Sequence, residues 1–345
     1  MPLRELILTN FRKFTNITVS VNSDAVAIIG GNASGKTTIL EAILHLSTGK
    51  GTQPARSYVQ KGKSFFRIKG VIDSTIGSPS SEVVVFYDSS SKAKKILVNK
   101  KLLPGLAKLI GLMPTISLNM HSFQWVWGPT EWRRKQIDLL LAQVSRTYLE
   151  TLIKHYRILE QRNKALKTTK DKNLLLTYGQ ILFETSTLIR KHRSELIEAI
   201  NKTCEPLLDR LLPDKMQLLT LKYHFHNDED WASKLDKEME IGYTLWGAQR
   251  DQVIWEADGV DTASFLSRGE GSRLSLATVI ALWLWLSKHK TGVAFLVDDW
   301  EAFQDRNYLD VVPDFILNIK PKNSTIFLAS LNKLKDDRWQ QVFLQ

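Results

Sequence analysis

Apolar and polar residues alternate along much of the first third of the chain, as expected for β-strands with one buried face. The alternation predicts strands at residues 3–8, 17–21, 65–72 and 83–87. Serine-rich stretches at 78–81 and 89–92 indicate turns between them. The run at 25–29 is apolar throughout, which favours a strand that is buried on both faces.

The pattern changes after Pro129, where apolar residues recur every three or four positions, as on one face of a helix. No proline occurs between Pro129 and Pro206, and long helices are predicted at 148–167 and 174–200. The polar break between these two helices is at 167–172.

Strand-like segments return at 216–223 and 252–256, and the chain then reads helix, strand, helix, strand. This order predicts an α/β domain interrupted by helices. We expect residues 1–120 and 217–345 to form the α/β domain, with residues 121–216 inserted as a helical arm.

The buried strand at 25–29 leads into a glycine-rich loop that fits the phosphate-binding pattern G-x-x-x-x-G-K-[ST] at every fixed position. The loop reads Gly30, Gly31, Asn32, Ala33, Ser34, Gly35, Lys36 and Thr37, and Thr38 follows in a helical pattern. Its backbone N–H groups and the helix N-terminus can bind phosphate oxygens. Lys36 is predicted to reach the β- and γ-phosphates of ATP, and Thr37 to complete the coordination of Mg²⁺.

A second apolar run at 293–297 ends in the two carboxylates Asp298 and Asp299. We expect Asp298 to hold Mg²⁺ through water and Asp299 to act as general base on the attacking water. Before this run stands the segment Ser267, Arg268, Gly269 and Glu270, followed by an apolar helix. A phosphate-binding loop, a long insertion, a Ser-x-Gly helix and an acidic strand follow one another as in ABC-type ATPases. In that class the Ser-Gly segment contacts ATP bound to a second subunit.

The chain of 345 residues has a net charge of +11, which favours a polyanionic partner such as nucleic acid. Candidate DNA contacts are Lys50, Arg56, Lys61, Lys63, Arg162 and Lys164. The alternative is that these are ordinary solvated surface charges. A single cysteine, Cys204, excludes an internal disulfide, and no apolar run reaches the roughly 20 residues of a membrane span. A cytoplasmic location is expected, with no membrane partner.

The chain resembles the RecF family of bacterial recombination mediators, which are related to SMC-type ATPase heads. The resemblance rests on the phosphate-binding loop, on the segments 10–14, 156–167 and 266–269, and on the acidic pair. It implies the fold of an ABC/SMC-type ATPase head with an inserted helical arm. It also implies that Arg12 and Asn32 add contacts to the phosphates.

The resemblance further implies hydrolysis of ATP with Mg²⁺ and a homodimer that forms when ATP binds. Slow turnover is expected because the carboxylate of Asp299 is one methylene shorter than the glutamate common in ABC-type enzymes. The implied DNA partners are double-stranded DNA and gapped DNA with single-strand/double-strand junctions. RecR and RecO are implied as protein partners in loading RecA. The chain departs from the family at Gly247–Asp251, where a Pro and a His are missing, and at 302–305 after the acidic pair.

Three other readings stay open from the sequence. One is an ABC transporter subunit, against which the helical arm and the basic charge argue. Another is an ATPase of a defence system that senses foreign DNA with the same head. The last is a nucleotide-binding scaffold without turnover, which an ATPase assay with and without DNA would distinguish.

Overall fold

The computed structural model describes residues 3–73, 80–212, 219–303 and 311–344. Part of the turn predicted at 78–81, the start of the strand predicted at 216–223 and residues 304–305 lie outside this described part. The chain forms two compact units, the first comprising Met1–Ser122 with Leu282–Gln345 and the second Phe123–Ala281.

An antiparallel sheet forms one layer of the first unit. Its strands, in chain order, are β1 (Leu3–Phe11), β2 (Phe14–Ser20), β4 (Phe65–Ile72), β5 (Ser81–Asp88), β6 (Ala93–Val98) and β7 (Lys101–Leu102). They lie in the order β2-β1-β4-β5-β6-β7. Alternate residues of β1 and β4 are buried, which is the period of two that the sequence shows.

A parallel sheet forms another layer of the same unit. Its strands are β3 (Ala25–Ile29), β8 (Thr115–Leu118), β12 (Val293–Val297), β13 (Ser324–Ser330) and β14 (Gln340–Phe343). They lie in the order β14-β3-β13-β12-β8. All residues of β3, β12 and β13 are buried; β3 and β12 are apolar throughout, as expected for such strands, and β13 is apolar at 326–329.

Helix α1 (Lys36–Thr48) follows β3 and packs between the two sheets. One core cluster joins Leu46 of α1, Phe66 of β4 and Phe327 of β13. The parallel strands all run in one direction, so their carboxyl ends meet at a single edge, where ligands of such sheets bind. Helix α8 (Val311–Asn318) lies between β12 and β13 in the chain.

The second unit is mainly helical. Its helices are α2 (Gln124–Trp127), α3 (Thr130–Val144), α4 (Arg146–Thr168), α5 (Lys172–Leu211) and α6 (Leu235–Ile241), and α7 (Arg268–His289) begins in it. A small antiparallel sheet contains β9 (Leu219–His224), β10 (Gln252–Ala257) and β11 (Val260–Asp261). No helix in the described part of the chain is long and apolar enough to cross a membrane.

Buried ion pairs connect the long helices of this unit. Arg193 on α5 donates from Nε and Nη2 to the carboxylate of Asp138 on α3, at 2.9 Å each. The Tyr148 hydroxyl on α4 donates to the same carboxylate at 2.6 Å. All three side chains are buried, so each charge depends on its partner for compensation.

The predicted long helices are confirmed, although each is longer than its apolar pattern. The second helix, α5, runs through Pro206 and ends at Leu211. The strands β6, β8 and β14 were not predicted. The assignment of residues 217–281 to the ATPase head stays a prediction, since the two compact units divide at 281/282, within α7.

Candidate functional site

The glycine-rich loop joins β3 to α1, as its sequence predicts. Gly35 precedes the helix with φ +103°, a conformation that favours glycine, and an added Cβ would lie 2.5 Å from the Phe14 ring. A Cβ on Gly30 would lie 2.4 Å from Oγ of Ser34. The loop therefore needs glycine at position 30 to fold closely on itself and at position 35 to pack against β2.

The polar groups of this loop face the helix N-terminus. Lys36 Nζ donates to the carbonyl oxygens of Gly30 at 2.7 Å and Gly31 at 2.9 Å, so its ammonium lies over the loop. Ser34 Oγ is buried without a hydrogen-bond partner in the described structure. Helix α1 has no side-chain cap. A phosphate group fits this arrangement, since an anion can accept from the helix N-terminus and from the ammonium.

Asp298 stands at the carboxyl end of β12, and its backbone N–H donates to Leu118 of the neighbouring strand β8 at 2.9 Å. The Thr37 hydroxyl donates to its carboxylate. Burial raises the pKa of Asp298 to about 6; the hydrogen bond from Thr37 opposes this shift and the charge of Asp299 adds to it. A hydroxyl beside a buried, poorly compensated carboxylate is the donor set that Mg²⁺ prefers.

A cleft of about 190 Å³ opens beside these two residues. Its lining includes Thr37 and Glu41 of α1, residues of β8 and β12, and Asp298 and Asp299 directly after β12. The predicted phosphate-binding and acidic segments therefore meet at one site, at the carboxyl edge of the parallel sheet.

The same cleft is lined by Asn119 and His121, which the sequence did not indicate as site residues. Leu118 pairs with Val297 in parallel register, so the residues that follow them, Asn119 and Asp298, leave the sheet side by side. The Asn119 side chain accepts from the His121 backbone N–H at 2.9 Å and fixes the turn. The available signal was a polar residue directly after a short strand.

Asp299, the predicted general base, is exposed, and its backbone has φ +48°. A further carboxylate, Glu301, lies within electrostatic reach of it. Burial raises the pKa of Glu301, and the charge of Asp299 adds to that shift while Lys36 opposes it. Glu301 is therefore close enough to Asp299 and to Lys36 for both charges to act on it.

Arg12 contacts the helix that follows the loop. Its Nη2 donates to Glu41 at 2.8 Å, and its guanidinium lies 4.6 Å from the ring centroid of Tyr58. Glu41 also accepts from Thr52 at 2.6 Å and from Tyr58 at 3.2 Å. A direct contact of Arg12 with phosphate stays a prediction, and in this structure the side chain holds residues 52–58 against α1.

The Ser-x-Gly segment lies in the second unit, at the start of α7. The backbone N–H of Ser267 donates to the Glu270 carboxylate at 2.8 Å, and the backbone N–H of Glu270 donates to Ser267 Oγ at 3.4 Å. This reciprocal pair is a capping box, so the two side chains have a structural role at the helix N-terminus. Arg268 and Gly269 lie between them, in the first turn of α7.

The candidate DNA contacts differ in exposure. Lys50, Arg56, Lys61 and Lys63 are exposed on the first unit, and Lys164 is exposed on the second. Arg162 is 0 % exposed, and its Nη2 donates to the equally buried Glu238 at 2.6 Å. The prediction that Arg162 contacts DNA is therefore wrong, because the helix turns this side chain inward to an ion pair.

Comparison with known proteins identifies several relatives. Residues 1–240 match the family model described as an AAA ATPase domain. The DNA replication and repair protein RecF of Chlamydia muridarum is 29% identical over 329 residues, which cover 90% of this chain and 88% of that protein.

Solved structures show the same fold. The recombination mediator protein RecF-ATP in the RecFOR pathway has a TM-score of 0.83 at 20% identity, covering 97% of this chain and 93% of that one. The Smc head domain of Pyrococcus furiosus, bound to the C-terminal domain of ScpA, has a TM-score of 0.60 at 15% identity. The match covers 100% of this chain and 94% of that one. The predicted fold class, an ABC/SMC-type ATPase head with a helical insertion, is confirmed.

Proposed function

Because this chain belongs to the AAA ATPase domain family and is homologous to the RecF proteins, we propose that it is a cytoplasmic, RecF-type recombination mediator that couples ATP binding to DNA binding. The observation that carries the proposal is the meeting of Lys36, Thr37 and Asp298 at one edge of the parallel sheet. Phosphate and metal chemistry both need these groups together.

The residues at this edge of the sheet have different roles in ATP hydrolysis. Lys36 exchanges the carbonyls of Gly30 and Gly31 for the β- and γ-phosphates. Asp298 and the Thr37 hydroxyl hold Mg²⁺, which neutralises phosphate charge when bound. Asp299 orients and deprotonates the attacking water. Slow turnover is expected because the Asp299 carboxylate is one methylene shorter than the glutamate common in ABC-type enzymes, and slow turnover suits a switch.

ATP acts in this proposal as the link between two copies of the chain. Ser267 and Gly269 of one copy contact the γ-phosphate bound by the other copy, through the N-terminus of α7. ATP shifts the population towards the dimer only if it binds the dimer more tightly than the monomer. Hydrolysis then releases the two copies.

DNA is the proposed polyanionic partner, in double-stranded and gapped forms. The exposed Lys50, Arg56, Lys61 and Lys63 supply contacts to the phosphate backbone, which do not depend on base sequence. RecR and RecO are the proposed protein partners, since the structural relative acts in the RecFOR pathway. RecA loading is the proposed outcome.

Lys36→Met is expected to weaken ATP binding about tenfold to a hundredfold, because hydrogen bonds from a charged ammonium to phosphate are lost. The variant should also sediment as a monomer with ATP and Mg²⁺ under conditions that dimerise the parent, and lose ATP-dependent binding to gapped DNA. Lys50→Met, an exposed lysine just after α1, is the control for ATP affinity and should leave it unchanged. A parent protein that stays monomeric in saturating ATP would refute the dimer.

His121→Ala is expected to lower kcat for ATP hydrolysis about tenfold and to leave KM within about twofold. The reason is that His121 lines the cleft beside Asp298 and Asp299, where the reacting phosphate and water must lie. Steady-state kinetics measure both constants. Met120→Ala removes an apolar neighbour in the same cleft and is the matched control. An equal loss of kcat in both variants would mean that the turn at 119–121 has only a structural role.

A further inference from the structure

A shallow groove of about 660 Å³ runs along α4 in the second unit. Its lining residues recur every three or four positions and so share one helical face. They are Tyr156, Leu159, Glu160, Asn163, Lys164 and Lys167. None of the functions above uses this groove.

Hydrogen bonds that are buried or partly buried fix the loop at 242–250 beside α4. Asn163 Oδ1 accepts from the backbone N–H of Thr244 at 2.9 Å and from its hydroxyl at 2.8 Å. Arg162 donates to the Thr244 hydroxyl at 2.8 Å and to Glu238, which in turn accepts from Leu245 N–H at 2.6 Å. Arg162 is thus a positioning residue for this loop.

The fixed loop presents an aromatic ring and a cation next to the groove. Tyr243 is 46% exposed, and the Arg250 guanidinium lies 5.4 Å from its ring centroid. Arg250 is held there by two hydrogen bonds to the Thr244 carbonyl, at 2.7 and 3.0 Å. A Cβ on Gly242 would lie 3.3 Å from Cγ of Lys167, which places the loop against the groove's basic end.

The groove itself repeats this combination. Tyr156 is 41% exposed, and Lys164 and Lys167 are exposed along the same face, with Glu160 as the one opposing charge in the lining. Exposed aromatic rings with neighbouring cations match a strand whose bases are unstacked and whose phosphates are close by. A duplex offers the phosphates but keeps its base faces covered.

We propose that the groove along α4 binds single-stranded nucleic acid, with bases stacked on Tyr156 and Tyr243 and phosphates at Lys164, Lys167 and Arg250. This inference rests on the DNA binding proposed above and assigns the single-stranded part of a gapped substrate to the second unit. In this proposal the exposed lysines of the first unit contact the phosphate backbone of the duplex part.

Fluorescence anisotropy of the full chain with ATP and Mg²⁺ tests the proposal, using labelled oligothymidylate, an abasic oligomer of equal length and a duplex. Tyr156→Ala and Tyr243→Ala are each expected to weaken oligothymidylate binding about tenfold, with the abasic oligomer and the duplex nearly unaffected. Tyr156→Phe should restore binding. Phe225→Ala, which removes another exposed aromatic ring of this unit, is the matched control.

The outcomes separate the two proposals. Unchanged oligothymidylate binding in both tyrosine variants, with intact duplex binding, overturns the proposed binding site in the groove. It does not affect the proposed function. Failure of the parent to bind any of the DNA forms overturns DNA binding itself. Displacement by polyglutamate but not by unlabelled oligothymidylate would assign the groove to an acidic protein instead.

Discussion

Asp298→Asn is expected to abolish most ATP hydrolysis, by about a hundredfold or more, and at the same time to stabilise the fold. Asp298 is 7% exposed, and burial raises its pKa to about 6 from the usual 3.8. The folded protein therefore holds this proton more tightly than the unfolded chain does. Ionising the carboxylate at neutral pH costs about 3 kcal/mol, which the amide avoids.

The sign of the change in stability can be checked by measuring unfolding at two pH values. The folded pKa lies above the unfolded one, so the favourable contribution of this group is present below about pH 4 and is lost as the pH rises through 6. Urea unfolding should show Asp298→Asn more stable than the parent at pH 8 and nearly equal at pH 4. The exposed Asp299→Asn is the control, with lower hydrolysis and little change in stability. A variant destabilised at both pH values would contradict the assignment.

Arg162→Ala is expected to destabilise the protein by about 3–5 kcal/mol, because it leaves the carboxylate of Glu238 buried without a charge partner. The guanidinium also lies 5.5 Å from the Trp246 ring centroid, so packing is lost as well. Lys164→Ala, two residues along the same helix but exposed, should change stability by less than about 0.5 kcal/mol. Denaturant unfolding measures both.

The double variant Arg162→Met with Glu238→Leu is expected to recover much of this loss, since replacing both charges removes the uncompensated one. Equal stability of Arg162→Ala and the parent would show that the side chain is solvated. In that case, a change in the salt dependence of DNA binding in Arg162→Ala could be attributed to the loss of a contact between Arg162 and DNA.

The sequence was sufficient for the parts of the site that have strong local patterns. The phosphate-binding loop is specified by glycines at fixed spacing, and β12 by an unbroken apolar run that ends in two acids. Asn119 and His121 could not be predicted, since the four-residue strand β8 is too short to show a period. Their position follows from parallel pairing with β12, which is a tertiary property.

Arg162 was misread for a different physical reason. The buried positions of α4 include Tyr148, His155 and Arg162, spaced by seven residues, and then Ala165 and Leu166. Two of these are polar or charged, so they interrupt the apolar pattern although they share the buried face. The partner, Glu238, lies 76 residues away along the chain. A single sequence gives no sign that the two charges compensate each other.

The left-handed backbone at Asp299 limits which acid this position can hold. A φ of +48° is tolerated by aspartate, asparagine and glycine more readily than by residues with longer side chains, because a short polar side chain can bond locally. Exchange for glutamate would add reach towards a water molecule but would work against the turn that places the carboxylate. The backbone conformation at this one residue thus limits the rate of ATP hydrolysis that substitutions at the site could reach.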